Sequence, residues 1–303
     1  MKSYAITKRK VSVIMPAYNA QDYIAEAINS ILSQTFSDFS FIIINDGSTD
    51  KTAEIVQSYD DNRILFIENP QNIGLVNSLN LGLSYAEGEY VARMDSDDIS
   101  LPQRLEKQVA FMDSNPDVGV LGTWMLVFGN RNSVTETPAV VGVIDMVYGP
   151  PVCHPTVMLR KSVLEEHALR YDCACEYCED YDLWFRAIHF TKIANLQEVL
   201  LHYRWHDANI SSVYNVVQLQ NSMKVRARVL DFLSSSKKIR MFLLDEKEEI
   251  QIKLFGVIPC IAGIMWGTKK SVYKLFGFIP LLRIKRDAVY LFSFLKVAQI
   301  FRK

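Results

Sequence analysis

Long apolar runs are missing from this 303-residue chain. The longest near-apolar stretch, LFGVIPCIAGIMWG at 254–267, is broken by Gly256, Pro259 and Gly263. It falls short of the roughly 20 residues that a membrane-crossing helix needs. No leader is visible either. Lys8, Arg9 and Lys10 precede the apolar run VSVIM, but that run is too short for a signal-peptide core and ends in PAYN rather than a cleavage site. These absences predict a cytoplasmic protein, attached at most to a membrane surface. Glycine-rich nucleotide loops are also lacking. No GxGxxG follows any strand, which argues against a dinucleotide-dependent dehydrogenase. The segment PAYNAQDY offers neither the glycines nor the cation that a nucleotidyltransferase loop would need after its first strand. Cysteine is scarce and odd in number, five in all, which argues against structural disulfides. Cys173, Cys175 and Cys178 form a CxCxxC cluster, but no second CxxC or HxxxH pair completes a zinc site, and reduced thiols in a loop are expected.

Charge is present but unevenly placed. From residue 237 onward there are 14 Lys and Arg against five Asp and Glu, whereas residues 1–236 hold 19 against 29. An acidic body suits a metal, and a basic tail suits an anionic surface. The first 130 residues alternate apolar β-branched runs with helical periodicity. VSVIMPAY, FSFIIIND, RILFIEN and EYVARM read as strands; QDYIAEAINSILSQ, TAEIVQSY and LVNSLNLGLSYA read as helices between them, with Ser48, Thr49 or Asp50 capping the second. Alternation of this kind gives a mostly parallel sheet covered on both faces, with ligands at the carboxyl ends of the strands. PAYN, NDGSTD and MDSDD all fall at such ends. Farther along, Ser100 and Gln103 have capping-box spacing for the helix LPQRLEKQVAFMD, 118–128 and 193–206 read as strands, and EDYDLWFRAIHF and 216–233 read as helices.

The cluster ARMDSDDIS places Asp95, Asp97 and Asp98 within four positions. An EF-hand loop starting at Asp95 fails, because Ile99 and Ser100 stand where an oxygen ligand and a turn glycine are required. A helix cap explains one carboxylate. Two carboxylates one residue apart at a strand end can instead share a hard divalent cation, which offsets their repulsion.

Six segments occur in order: PAYN, NDGSTD, NIGL, ARMDSDD, EDYDLWFR and YRWH. Over about residues 10–215 this set resembles the family-2 glycosyltransferases of the bacterial lipopolysaccharide and capsule type. The resemblance implies a GT-A fold, a Rossmann-like three-layer α/β/α body spanning 1–236, followed by the basic, apolar extension 237–303. It also implies site roles. Pro16, Ala17 and Tyr18 would wall a uracil pocket, Asp46 would accept the uracil N3–H, and Asn72 and Gly74 would shape the nucleotide site. Arg93 could meet a phosphate or pair with the acid cluster. Asp97 would ligate Mn²⁺ or Mg²⁺, with Asp95 near the ribose and a metal-bound water and Asp98 in support. Arg204 and His206 would face the diphosphate and the metal. Asp180 would be the base of an inverting transfer, supported by Glu179, with His154 toward the acceptor, Asp182 structural, and Trp184 a core residue more readily than a sugar platform.

The implied reaction transfers a hexose or N-acetylhexosamine from a UDP-sugar to a saccharide or lipid-linked saccharide acceptor at the inner face of a bacterial membrane, with no nucleic acid involved. The tail units LFGVIPCI, YKLFGFIPLLRIK and VYLFSFLKVAQI share a Leu-Phe core with basic flanks and suit an anionic bilayer surface. A sugar-phosphate nucleotidyltransferase, or a non-catalytic membrane-associated protein with a degenerate transferase fold, are the alternatives.

Overall fold

Strand β1 (Val11–Ala17) and strand β2 (Phe39–Asn45) are buried at every position, as their mostly apolar sequences suit strands covered on both faces. Each fully buried Ile, Val or Phe there contributes about 1.5–3 kcal/mol. The computed structural model describes residues 9–207, 209 and 213–235, and beyond them the backbone of short strands between 242 and 301. Helix α1 (Ile24–Leu32) buries Ile24, Ala27, Ile28 and Ile31, one face at helical spacing. Helix α2 (Thr52–Gln57), strand β3 (Ile64–Glu68), helix α3 (Leu75–Tyr85) and strand β4 (Tyr90–Arg93) complete the alternating region. Of the three expected α2 caps, Asp50 takes the role: its carboxylate accepts from the Thr52 amide at 2.9 Å and the Thr52 hydroxyl at 2.6 Å.

Strands β3, β2, β1 and β4 lie side by side and parallel. Past β4 the sheet becomes mixed. Strand β9 (Met158–Arg160) runs antiparallel between β4 and β6 (Val118–Gly129), and β6 pairs in parallel with the long β10 (Lys192–Trp205). Strand β5 (Ile99–Ser100) closes that edge antiparallel to β10. Short strands β7 (Ser133–Thr135) and β8 (Val140–Val141) flank β6 and β10. Helix α3 packs on β1 and β2, α4 (Arg104–Ser114) on β6 and β10, and α6 (Glu179–Ala187) on β6. Helix α5 (Lys161–Glu166) follows β9, and α7 (Asn215–Ser235) comes last among the helices described.

The capping box expected of Ser100 and Gln103 does not form. Ser100 lies in β5, where its hydroxyl accepts from Gln34 Nε2 at 3.2 Å, and the Leu105 amide donates to Gln34 Oε1 at 3.0 Å. A glutamine just past α1 therefore caps α4 from another element.

Residues 1–226 form one compact unit and 227–303 a second. In the second, strands 242–246, 249–253 and 264–266 form one antiparallel sheet, and 272–275, 279–285, 288–291 and 299–301 form another. The side chains of the basic apolar units lie outside the described residues. Among the described residues, no helix is long and apolar enough to cross a membrane.

Candidate active site

Strand β4 ends where the Met94 amide donates to Ile14 O of β1 at 3.1 Å, delivering the next residues to the carboxyl edge of the sheet. There Asp95, Asp97 and Asp98 bring one carboxylate oxygen each within 4.8 Å of one another. Of the two roles open to Arg93, the structure displays the pairing with the acid cluster. Its guanidinium is 4% exposed and pairs with Asp95 through both nitrogens, Nη1 donating to Oδ2 at 2.9 Å. The cation is folded back on its own acid cluster. Burial pushes the Asp95 carboxyl up to about 6, with Asp97 adding to the rise and Arg93 opposing it. Asp98 is fully buried. Its Oδ1 accepts the Arg204 amide at 2.9 Å, and Oδ2 has no protein partner. Three hard oxygen ligands, one with an unmet buried lone pair, fit Mn²⁺ or Mg²⁺.

The closing segment at the end of β10 holds this cluster from the other side. His206 Nε2 lies 2.9 Å from Asp97 Oδ2 and its ring stacks on Tyr23 at 5.1 Å. Buried Asn209 accepts the His206 amide and donates to Arg204 O at 3.1 Å, fixing the turn. Arg204 was expected at the diphosphate. Its Nε donates to Asp97 O at 2.9 Å, its Nη2 pairs with Glu26, and its guanidinium lies between the rings of Tyr23 and Phe128 at 4.7 and 4.6 Å. A planar cation with two aromatic faces and a carboxylate is satisfied in place, so Arg204 clamps the Asp97–Asp98 turn to α1.

Glu179 and Asp180 open α6, where the helix N-terminus favours negative charge. Glu179 is 4% exposed, with one oxygen lacking a partner, and burial followed by the Asp180 charge pushes it up to about 7. Burial likewise raises half-buried Asp180 to about 6, opposed by the Tyr181 backbone amide and Arg93. His154 sits beside them, in a 3₁₀ turn (His154–Thr156), its Nε2 3.0 Å from the Tyr171 hydroxyl and its Nδ1 3.7 Å from Glu179. Burial, with Arg93 adding, holds the His154 ring well below its usual range, so it is neutral near pH 7. Asp182 pairs with Arg186 at 2.7 Å, and Trp184 is fully buried, both as expected of structural residues.

The expected nucleotide wall lies at the ends of β1 and β2. Pro16 and Ala17 are buried, and Tyr18 is 49% exposed beside them. Asp46 is buried, 3% exposed. Its carboxylate accepts from Asn69 Nδ2, the Ile73 amide and the Gly74 amide, each at 2.9 Å, which leaves about one of four acceptor positions. The residue therefore fixes the 69–74 loop. Asn72 Oδ1 also receives the Gly74 amide at 2.9 Å, and Gly74 has φ +87°, which only glycine adopts without strain.

Several participants carried no motif. Arg104, fully buried, donates to Arg93 O at 2.7 Å; burial pushes it down to about 9, against the pull of Asp98. Tyr171 and Asn209 show only as ordinary loop residues in sequence, and no spacing signal marks them. The cysteines stay thiols: Cys153, Cys173, Cys175 and Cys178 form no disulfide.

An acid cluster and an acid pair in the first turn of α6 lie along the carboxyl edge of a Rossmann-like sheet, the arrangement of a GT-A fold. The Glycosyl transferase family 2 model matches residues 12–167, and the chain belongs to that family. An uncharacterized glycosyltransferase of Haemophilus influenzae is 36% identical over 231 residues, 71% of this chain and 72% of the relative. The O-antigen biosynthesis glycosyltransferase WbnJ of Escherichia coli is 34% identical over 216 residues, 65% of this chain and 80% of its own. Among solved structures, S. aureus TarS 1–349 in complex with UDP is 25% identical with TM-score 0.59, over 78% of this chain and 75% of that one. Membership removes the sugar-phosphate nucleotidyltransferase as an alternative.

Proposed function

We propose that this glycosyltransferase is an inverting, divalent-metal-dependent enzyme that moves a hexose or N-acetylhexosamine from a UDP-sugar to a saccharide acceptor in surface-glycan synthesis. The observation that carries the reading is the placement of two acid groups around one cation. Asp95 pairs with Arg93 on one side, and Glu179 and Asp180 feel the same Arg93 on the other. UDP in the TarS complex and O-antigen synthesis by WbnJ support the donor and the pathway class.

The chemistry needs a base, a leaving group and their alignment. The Asp180 carboxylate takes the proton of the acceptor hydroxyl, and a folded pKa near 6 suits a base working close to neutrality. The freed oxygen attacks the anomeric carbon from the face opposite the nucleotide. The bond from that carbon to the diphosphate breaks, and its electron pair leaves on UDP. Asp97, with Asp95 and His206, would hold Mn²⁺ or Mg²⁺, which supplies positive charge to the departing diphosphate. Pro16, Ala17, Tyr18 and the 69–74 loop fixed by Asp46 would shape the uridine pocket.

The test is UDP release from UDP-glucose, UDP-galactose and their N-acetylhexosamine counterparts with Mn²⁺ and mixed saccharide acceptors. Asp180→Asn should lower kcat by about 10²–10⁴, and EDTA should abolish turnover until Mn²⁺ or Mg²⁺ is restored. Equal turnover by the variant would remove Asp180 as the base, and no release from any donor would favour the non-catalytic alternative.

A further inference from the structure

Two loops carry tyrosines that the donor chemistry does not use, half-buried Tyr177 in one and exposed Tyr148 in the other. Tyr177 immediately precedes Cys178, Glu179 and Asp180, and its φ of +62° is a left-handed conformation that a bulky side chain rarely adopts. Its ring stacks on Tyr214, centroids 4.4 Å apart at 10°. Tyr214 is 43% exposed, and Tyr148, in the other loop, is 51% exposed.

Helix α7 holds both loops. Buried Asn221 donates to Glu176 O at 2.9 Å, pinning the residue before Tyr177, and Arg226 Nη2 donates to Tyr148 O at 3.4 Å. Tyr181 of α6 donates its hydroxyl to Met146 O, two residues from Tyr148. At the other end of its loop, Tyr171 N donates to Asn80 Oδ1 at 3.0 Å. The strained residue is thus fixed on both sides, and strain of this kind persists where the surroundings impose it for function.

We propose that Tyr177 and Tyr214, bordered by Tyr148, form the subsite on which a pyranose ring of the acceptor saccharide stacks. The proposal rests on the transfer reading above, because it needs the acceptor hydroxyl at Asp180. Three residues of chain reach at most about 11 Å, so the pair serves the accepting ring or its neighbour in the glycan. The chemistry matches the ligand. Tyrosine faces meet the C–H face of a sugar ring, and phenol hydroxyls meet its hydroxyl groups. An acyl chain would have no use for those hydroxyls. The aliphatic residues exposed farther along α7, Val216, Val217, Leu219 and Met223, are the surface that would favour lipid instead.

The full chain, loaded with UDP and Mn²⁺, is titrated with methyl glycosides of glucose, galactose, N-acetylglucosamine and lactose under saturation-transfer NMR. At least one glycoside should show saturation at its ring C–H protons. Tyr177→Ala and Tyr214→Ala should each weaken that binding about tenfold, a loss of the size an aromatic stack supplies, while Tyr177→Phe and Tyr214→Trp retain most of it. UDP affinity in the same variants, by calorimetry, reports folding. Unchanged saccharide affinity in both alanine variants would overturn the proposal. So would absence of saccharide binding by the wild-type chain with UDP affinity intact, or loss by the variants of binding to phosphatidylglycerol vesicles alone. Failure of the transfer reading would appear separately, as undiminished UDP release by Asp180→Asn, with the NMR result still legible.

Discussion

At Arg93 one guanidinium, 4% exposed, faces acids from two directions, Asp95 in its own turn and Glu179 across the site. Glu179 is the more telling partner, because burial raises it to about 7 while one oxygen goes without a hydrogen bond. The folded state binds that proton more tightly than the unfolded chain. Its stabilising effect is therefore complete below about pH 4 and is lost as pH rises through about 7. Glu179→Gln removes the titration, so in urea unfolding it should gain on wild type between pH 5 and pH 8, by up to about 3 kcal/mol. A difference independent of pH would mean that Glu179 ionises freely. On the proposed mechanism the sign reverses for turnover: Asp180 as base works unprotonated, so kcat should rise as pH passes through about 6. The sequence showed these carboxylates through their company, since DSDD, ED and YRWH stand in order. It could not show Arg93 turning toward Asp95 or Arg204 lodging between Tyr23 and Phe128, because both depend on aromatic and acidic neighbours set by tertiary packing. Asp46 was legible as a strand-end acid, but not as the anchor of a loop 27 residues away.

Among the elements, apolar patterning revealed every strand of the alternating region, most plainly β1 and β2, whose burial on both faces shows as runs rich in Val, Ile and Phe. Helix ends were less legible. The cap of α4 comes from Gln34, 71 residues from the Leu105 amide it receives, and no local motif can announce a partner so distant. The turn at Gly47 is a sharper case. Its φ is +68°, and a Cβ there would lie 2.4 Å from the backbone carbon of Gln71. Gly47→Ala should therefore push the 69–74 loop off its Asp46 anchor, costing about 1–3 kcal/mol of stability. Affinity for UDP should fall at least tenfold by calorimetry. Intact affinity in a destabilised variant would separate that loop from the nucleotide pocket.

Across the whole molecule the two charge balances face different tasks. The body before residue 237 carries 29 acids against 19 bases, and the tail carries 14 bases against five acids. We expect the full chain to sediment with phosphatidylglycerol vesicles at low salt and to release as ionic strength rises past the range in which the screening length nears 10 Å. Removing 237–303 should abolish sedimentation and leave UDP release intact. Unchanged sedimentation of the truncated chain would assign membrane contact to the body.

The strand order β3-β2-β1-β4-β9-β6-β10-β5 also sets a timetable for the growing polypeptide. Synthesis supplies the parallel quartet by residue 93, yet β6 waits for β9 at 158–160 and for β10 at 192–205. Chains fold from their leading end as they emerge, so Asp180 is made before Arg204 and His206 arrive to close the turn of Asp97 and Asp98. A ribosome-bound chain short of residue 206 thus holds Asp97 and Asp98 without the Arg204 and His206 contacts that close their turn.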